Sequence, residues 1–180
     1  DNPDVPLKYK AALILIIFTS ARRGEVLGTE WPDIDFTTGE IVIRRESQYL
    51  TGEGVYTDTP KNETSARGNI VPAEVVKLLK QYKVWQTEQR LKLGDKWVKE
   101  WEAHPRLFTQ HNGKPMHPST LNHWMRQFFE KNNLDLDRIT PHGLRHTYAT
   151  LLIGNGVDVA TVATGMGRAK KSTTLDIYTG

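Results

Sequence analysis

The segment Thr140-Pro141-His142-Gly143-Leu144-Arg145-His146-Thr147 holds the densest set of side chains able to grip an anion. On a helix, His142, Arg145 and His146 stand at i, i+3 and i+4 and so share one face. Thr140 and Pro141 place them at a helix start, where backbone N–H groups add positive potential. A phosphate is the natural guest for such a face. A solvated arginine between two capping histidines is the plainer alternative, and the local sequence leaves both open. Zinc is poorly served, because Gly143 stands where a metalloprotease motif carries its glutamate base and no third ligand stands out.

Three further features could join that chemistry. In Ala21-Arg22-Arg23-Gly24-Glu25 the carboxylate of Glu25 lies three residues after Arg22. It could orient the guanidinium, a planar charged fork that matches phosphate oxygens; an ordinary exposed ion pair fits the same spacing. Lys61 sits in the polar stretch Lys61-Asn62-Glu63-Thr64-Ser65, and Tyr178 closes Ser172-Thr173-Thr174-Leu175-Asp176-Ile177-Tyr178. Taken singly, a loop-tip lysine is a solvated group and a tyrosine on a terminal helix is a core residue.

The elements that must carry these residues can be read from periodicity. Residues 1–6, with two prolines, form a loop, and Leu7 to Phe18 is apolar almost throughout, which predicts a buried helix. Thr19-Ser20 breaks it before a second short helix over Arg22 to Leu27. From Glu40 the pattern alternates through Ile41, Val42 and Ile43, a strand signal that runs to Arg45. Val55 to Thr59 and Arg67 to Val71 supply two more strands, so a small three-stranded antiparallel sheet is expected with Lys61 at a hairpin tip. A long helix follows from Pro72 or Glu74 to Leu93, then a helical stretch over Lys96 to Glu102 and a turn at residues 111–115. Pro118-Ser119 opens a helix with Leu121, Trp124, Met125, Phe128 and Phe129 on one face. The helix from Pro141 runs to Ile153, stopped by Gly154-Asn155-Gly156. Short helices at Val159 to Thr164 and Ser172 to Thr179 complete an α+β domain that is mainly α-helical.

Composition narrows the classes. The 180 residues suit one domain with a sizeable core. The apolar run from Ala11 to Phe18 is too short to span a bilayer. No signal-peptide pattern marks the start, and the reducing cytoplasm is the expected compartment. With no cysteine, thiolate catalysis, disulfides and cysteine-bound zinc are excluded. Lysine and arginine number 24 against 21 acidic residues, a net charge of +3 that permits a nucleic-acid partner without establishing one.

Order and spacing of the four features together carry more than any one of them. Thr19-Ser20-Ala21-Arg22-Arg23-Gly24-Glu25, then Thr59-Pro60-Lys61 with Ser65 and Arg67, then His142-Gly143-Leu144-Arg145-His146, then Thr173-Thr174-Leu175-Asp176-Ile177-Tyr178 follow one another along the chain. In this the sequence resembles the tyrosine recombinase (phage integrase) family, in the style of integrases from Gram-positive integrative elements and phages. The resemblance implies that family's catalytic-domain fold over residues 1–180, with an N-terminal DNA-clamping domain and a C-terminal tail absent from the chain. It implies catalytic roles for Arg22, Lys61, His142, Arg145 and Tyr178, and for Arg168 as a further donor to the phosphate. Arg22 rather than Arg23 takes the arginine role, because the glutamate belongs three positions later. Two positions depart from the family pattern. Arg168, in Met166-Gly167-Arg168, stands where a phosphate-holding histidine or tryptophan is usual, and Ser20 replaces a common glycine.

The implied activity is site-specific DNA recombination and integration through a 3′-phosphotyrosyl intermediate, with no metal or other cofactor. Double-stranded DNA carrying attachment sites is the implied partner, with a tetramer forming on DNA in the full-length protein and a monomer for the isolated domain. A type IB topoisomerase shares this chemistry and is the nearest enzymatic rival. A noncatalytic DNA-binding relative, for which Arg168 argues, and a helical protein-interaction module without a DNA role are the alternatives from other classes.

Overall fold

The computed structural model describes residues 5–58, 66–99, 102–134 and 139–165. Helix α1 (Leu7–Thr19) is the axis of the core. Its Ala11, Ala12, Leu15 and Ile16 are all but inaccessible, so the expected buried helix is present. The helix ends at Ser20, whose φ of 49° is left-handed, a conformation that costs an L-residue and suits glycine. The turn is tied by Thr19, whose hydroxyl donates to the Leu15 carbonyl at 2.7 Å and accepts from the Ala21 N–H at 3.2 Å.

Helix α2 (Arg23–Gly28) starts at once, and a 3₁₀ turn, Trp31–Asp33, follows it. Four strands come next: β1 (Glu40–Ile43), β2 (Glu46–Leu50), β3 (Gly54–Asp58) and β4 (Arg67–Ile70). They pair antiparallel as β1 with β4 and β2 with β3. Among the described residues this makes two two-stranded ladders where one three-stranded sheet was expected. Arg44 and Arg45 are the reason. Arg44 pairs with Asp33 at 3.3 Å, while Arg45 reaches Asp33 and, at 3.4 Å, Glu30. The chain is thereby turned between β1 and β2, and the second ladder departs from the first. Strand β2 was not foreseen at all, because Glu46-Ser47-Gln48-Tyr49-Leu50 contains no β-branched residue.

Helix α3 (Ala73–Leu93) shows Val75, Leu79, Tyr82 and Gln86 to the core at helical spacing, and Gly94 at φ 53° ends it. Beyond a 3₁₀ turn (Gly94–Lys96) the expected helical stretch over Lys96 to Glu102 is interrupted at Trp97 and Val98, where the Val98 N–H donates to the Asn112 carbonyl at 2.9 Å, and residues 100–101 fall outside the described residues. The Tyr82 hydroxyl and the Gln86 amide both donate to the Leu107 carbonyl, at 2.7 and 2.8 Å, which seats the extended segment around Leu107 and Phe108 against α3. Burial pushes the Tyr82 phenol far above its ordinary range.

Helix α4 (Thr120–Lys131) buries Leu121 and Met125 and stacks Trp124 on Tyr9 at 4.4 Å, using the face read from its sequence. Helix α5 (Pro141–Gly154) lies along α1, with Phe18 against Tyr148 at 5.7 Å. Helix α6 (Val159–Gly165) packs on α5 through Val162 and Ala149. The result is mainly helical α+β. Among the described residues no helix is long and apolar enough to cross a membrane.

Candidate phosphate-binding cleft

Arg22 is the residue that precedes α2. Its backbone N–H donates to Glu25 Oε2 at 2.6 Å, and its Nη1 donates to Glu25 Oε1 at 3.2 Å. The i, i+3 relation read from the sequence is therefore a bond in the fold. The glutamate does more than pair with its neighbour. Arg67, on β4, grips the same carboxylate with two parallel bonds, Nη1 to Oε1 at 3.2 Å and Nη2 to Oε2 at 2.7 Å. Burial pushes the Glu25 carboxyl up, yet the Arg67 bonds and charge, with the Arg22 N–H and charge, outweigh it and hold the group below its ordinary value. Glu25 thus stays ionised, and the Arg22 side chain, half exposed, leans on a fixed anion.

On the other side, α5 begins at Thr140, whose hydroxyl accepts the Gly143 N–H at 3.0 Å, with Pro141 in the first helical position. This cap fixes where His142 and Arg145 emerge. Arg145 is 3% exposed, so the plain reading of a solvated arginine does not hold. His146 bonds to His142 through their Nε2 atoms at 2.7 Å, with the rings near perpendicular.

The two helix starts face each other across a cleft of about 390 Å³ lined by Arg22, Arg23, Glu46, Asn122, His142 and Arg145. Three arginines and an imidazole around one acid make a cavity suited to an oxyanion. The sequence features near residue 22 and residue 142 are brought together, whereas His146 sits behind His142 and outside the lining. Lys61, Arg168 and Tyr178 fall outside the described residues. Sequence reasoning passed over Glu46, Asn122 and the role of Arg67. Nothing local marks Glu46 or Asn122, but an arginine in the strand that ends the hairpin was a visible signal. Among the described residues no three histidine, aspartate or glutamate side chains gather where they could hold a metal ion.

The phage integrase family pattern matches residues 2–180. Among curated relatives, the tyrosine recombinase XerC-like protein of Caldanaerobacter subterraneus subsp. tengcongensis is 31% identical over 180 residues, covering 96% of this chain and 45% of the relative. The ICEBs1 integrase of Bacillus subtilis is 30% identical over 176 residues, covering 98% of this chain and 46% of the relative. The chain therefore spans about half the length of the curated relatives it matches. The solved Tn1549 transposon integrase in complex with circular intermediate DNA has a TM-score of 0.81 at 24% identity, covering 98% of this chain and 57% of that one. The XerA recombinase has a TM-score of 0.68 at 24% identity, over 97% of this chain and 52% of its own. These structures share the fold of the molecule, and the sequence match identifies it: the chain belongs to the phage integrase family of tyrosine recombinases.

Proposed function

We propose that this chain is the catalytic domain of a site-specific DNA recombinase that breaks and rejoins strands through Tyr178. The observation that carries the reading is the convergence of Arg22 with His142 and Arg145 on one cleft, although four strands and helices α2, α3 and α4 separate them in sequence. Relatives named integrase and tyrosine recombinase, and a like-folded integrase solved with DNA, support the same activity.

In this mechanism Arg22 and Arg145 hold the nonbridging oxygens of the scissile phosphate, with His142 and Arg168 beside them. The phenol, whose ordinary pKa is about 10, is a poor nucleophile until cations stabilise its anion and the pentacoordinate phosphorane. The Tyr178 oxygen attacks phosphorus, the bond to the 5′-oxygen breaks, and Lys61 protonates that leaving oxygen. His142 takes the phenol proton or donates to phosphate. The product is a 3′-phosphotyrosyl strand with a free 5′-hydroxyl, and the reverse steps join a new strand without a nucleotide cofactor. Arginine charge does the work a metal would do elsewhere. Double-stranded attachment-site DNA is the partner, full-length chains gather as a tetramer on it, and the bacterial cytoplasm is the setting.

The test is to incubate the full-length protein with a nicked duplex from the ends of its element and separate the products in SDS. A protein–DNA adduct that Tyr178→Phe abolishes is expected. Salt-sensitive DNA retention without an adduct would mean a noncatalytic relative, and no retention at all would remove the DNA role. Relaxation of supercoils without a partner site would point to topoisomerase activity instead.

A further inference from the structure

Glu46 is out of keeping with its surroundings. It opens β2 and lines the cleft that holds Arg22, Arg23, His142 and Arg145, the one acid among the described lining residues. Its place is built. A Cβ on Gly24 would come within 2.7 Å of Glu46 Oε1 and 2.8 Å of its Cγ, so the bare glycine of α2 leaves the room in which this carboxylate lies. Among the described residues none forms a hydrogen bond or ion pair with it. Glu25, the other acid nearby, is already held by Arg67 and Arg22. The charged groups that face Glu46 are Arg22, Arg23 and Glu25 from the start of α2, Asp58 opposite it on β3, and His142 and Arg145 from α5. Burial, then Glu25, push its carboxyl above the ordinary value, with Asp58 adding and the two arginines opposing.

A carboxylate in an anion site repels every guest, but it repels a doubly charged guest about twice as strongly as a singly charged one. The phosphate inside an intact DNA strand carries one negative charge. A phosphate at a strand end carries close to two at neutral pH, its second pKa being about 6. Without Glu46 the net positive charge of the cleft lining would be higher by one unit and would favour the more highly charged end. We propose that Glu46 is a specificity-determining residue: it trims the positive charge of the cleft so that phosphodiesters are accepted and terminal phosphomonoesters are turned away. This rests on the phosphate-cleft reading above. The phosphotyrosyl linkage of the proposed mechanism is itself a diester, so the selection also spares the intermediate.

The test uses methyl phosphate and dimethyl phosphate as probes, titrated into the whole chain at constant ionic strength and followed by NMR shifts of arginine Nε–H groups. At pH 8 Glu46→Gln is expected to raise the affinity for methyl phosphate relative to dimethyl phosphate by about fivefold, the scale of one partly screened unit charge. Glu46→Thr, a second neutral variant, should do likewise, whereas Glu46→Asp should keep the wild-type ratio. At pH 5, where methyl phosphate also carries one charge, the difference should vanish. An unchanged ratio in both neutral variants, a shift in Glu46→Asp equal to theirs, or a shift that persists at pH 5 overturns the proposal. If no probe binds saturably, or if Arg145→Ala leaves the affinity for both unaltered, the phosphate-cleft reading itself has failed.

Discussion

Replacing Glu25 by glutamine keeps the size of the side chain and removes its charge. The Arg67 and Glu25 side chains are 14% and 10% exposed and joined by two bonds, so water screens the pair little. Breaking a buried pair on one side costs about 3–5 kcal/mol, because the remaining charge stays desolvated. The Arg22 ion pair adds little, its guanidinium being half exposed and well screened. A carboxamide oxygen can still accept one of the bonds now made at 2.6–3.2 Å, which brings the expected loss to about 3 kcal/mol. For a chain of this length that is a fall in Tm of about 6–12 °C. The sign of the pH dependence follows from the depressed carboxyl. Its stabilisation is full above the ordinary carboxylate value of 4.5 and is lost as pH falls through the lower folded-state value. Urea titrations of wild type and Glu25→Gln at pH 7 and at pH 3.5 measure both effects, and the gap between the two proteins should narrow at the lower pH. A difference below about 0.5 kcal/mol at pH 7, the size of an ordinary surface change, would refute the argument, as would a gap that widens on acidification.

Four further outcomes are expected. Gly28→Ala would place a Cβ 2.8 Å from the Arg45 carbonyl oxygen and 3.0 Å from the Ser47 N–H nitrogen, both backbone; a loss of about 1–3 kcal/mol in urea titration with an unchanged m-value is expected. Ser20→Gly should raise Tm by about 1–4 °C in a thermal melt, since it relieves a left-handed serine and gives back part of that gain as chain entropy. Tyr82→Phe removes the donor to the Leu107 carbonyl, which keeps its bond from Gln86, so about 1 kcal/mol or less should be lost. Spectrophotometric titration of the wild type should leave Tyr82 protonated until alkaline unfolding.

Helices were legible in the sequence wherever their apolar spacing ran past two turns. Helices α1, α3, α4 and α5 all lie where periodicity put them, and Thr140 caps α5 as its position required. The sheet was less legible, because pairing depends on partners remote in sequence. Glu46 to Leu50 is a strand through its ladder with Gly54–Asp58 and not through its own propensity. The cleft divides in the same way. Arg22 with Glu25 and His142 with Arg145 are local relations, and both were readable. The grip of Arg67 on Glu25 across the fold, and the presence of Glu46 among arginines, arise from packing between elements and leave no periodic trace.

Arg106 joins parts of the molecule that are far apart along the chain. It is 3% exposed, donates to the Gly28 carbonyl at the end of α2 and to the Thr57 hydroxyl in β3, and lies by Glu30 at 3.8 Å. The β2–β3 ribbon is thereby clamped at its root, while toward its far end Tyr49 and Leu50 are about half exposed, with the Tyr49 ring against His117 at 4.3 Å. A beam fixed at one end bends least at the fixture, so amide exchange should quicken from Ser47 and Thr57 outward to the Gly52 turn. Glu46 pairs with Asp58 beside the fixture, at the end of the ribbon expected to exchange most slowly.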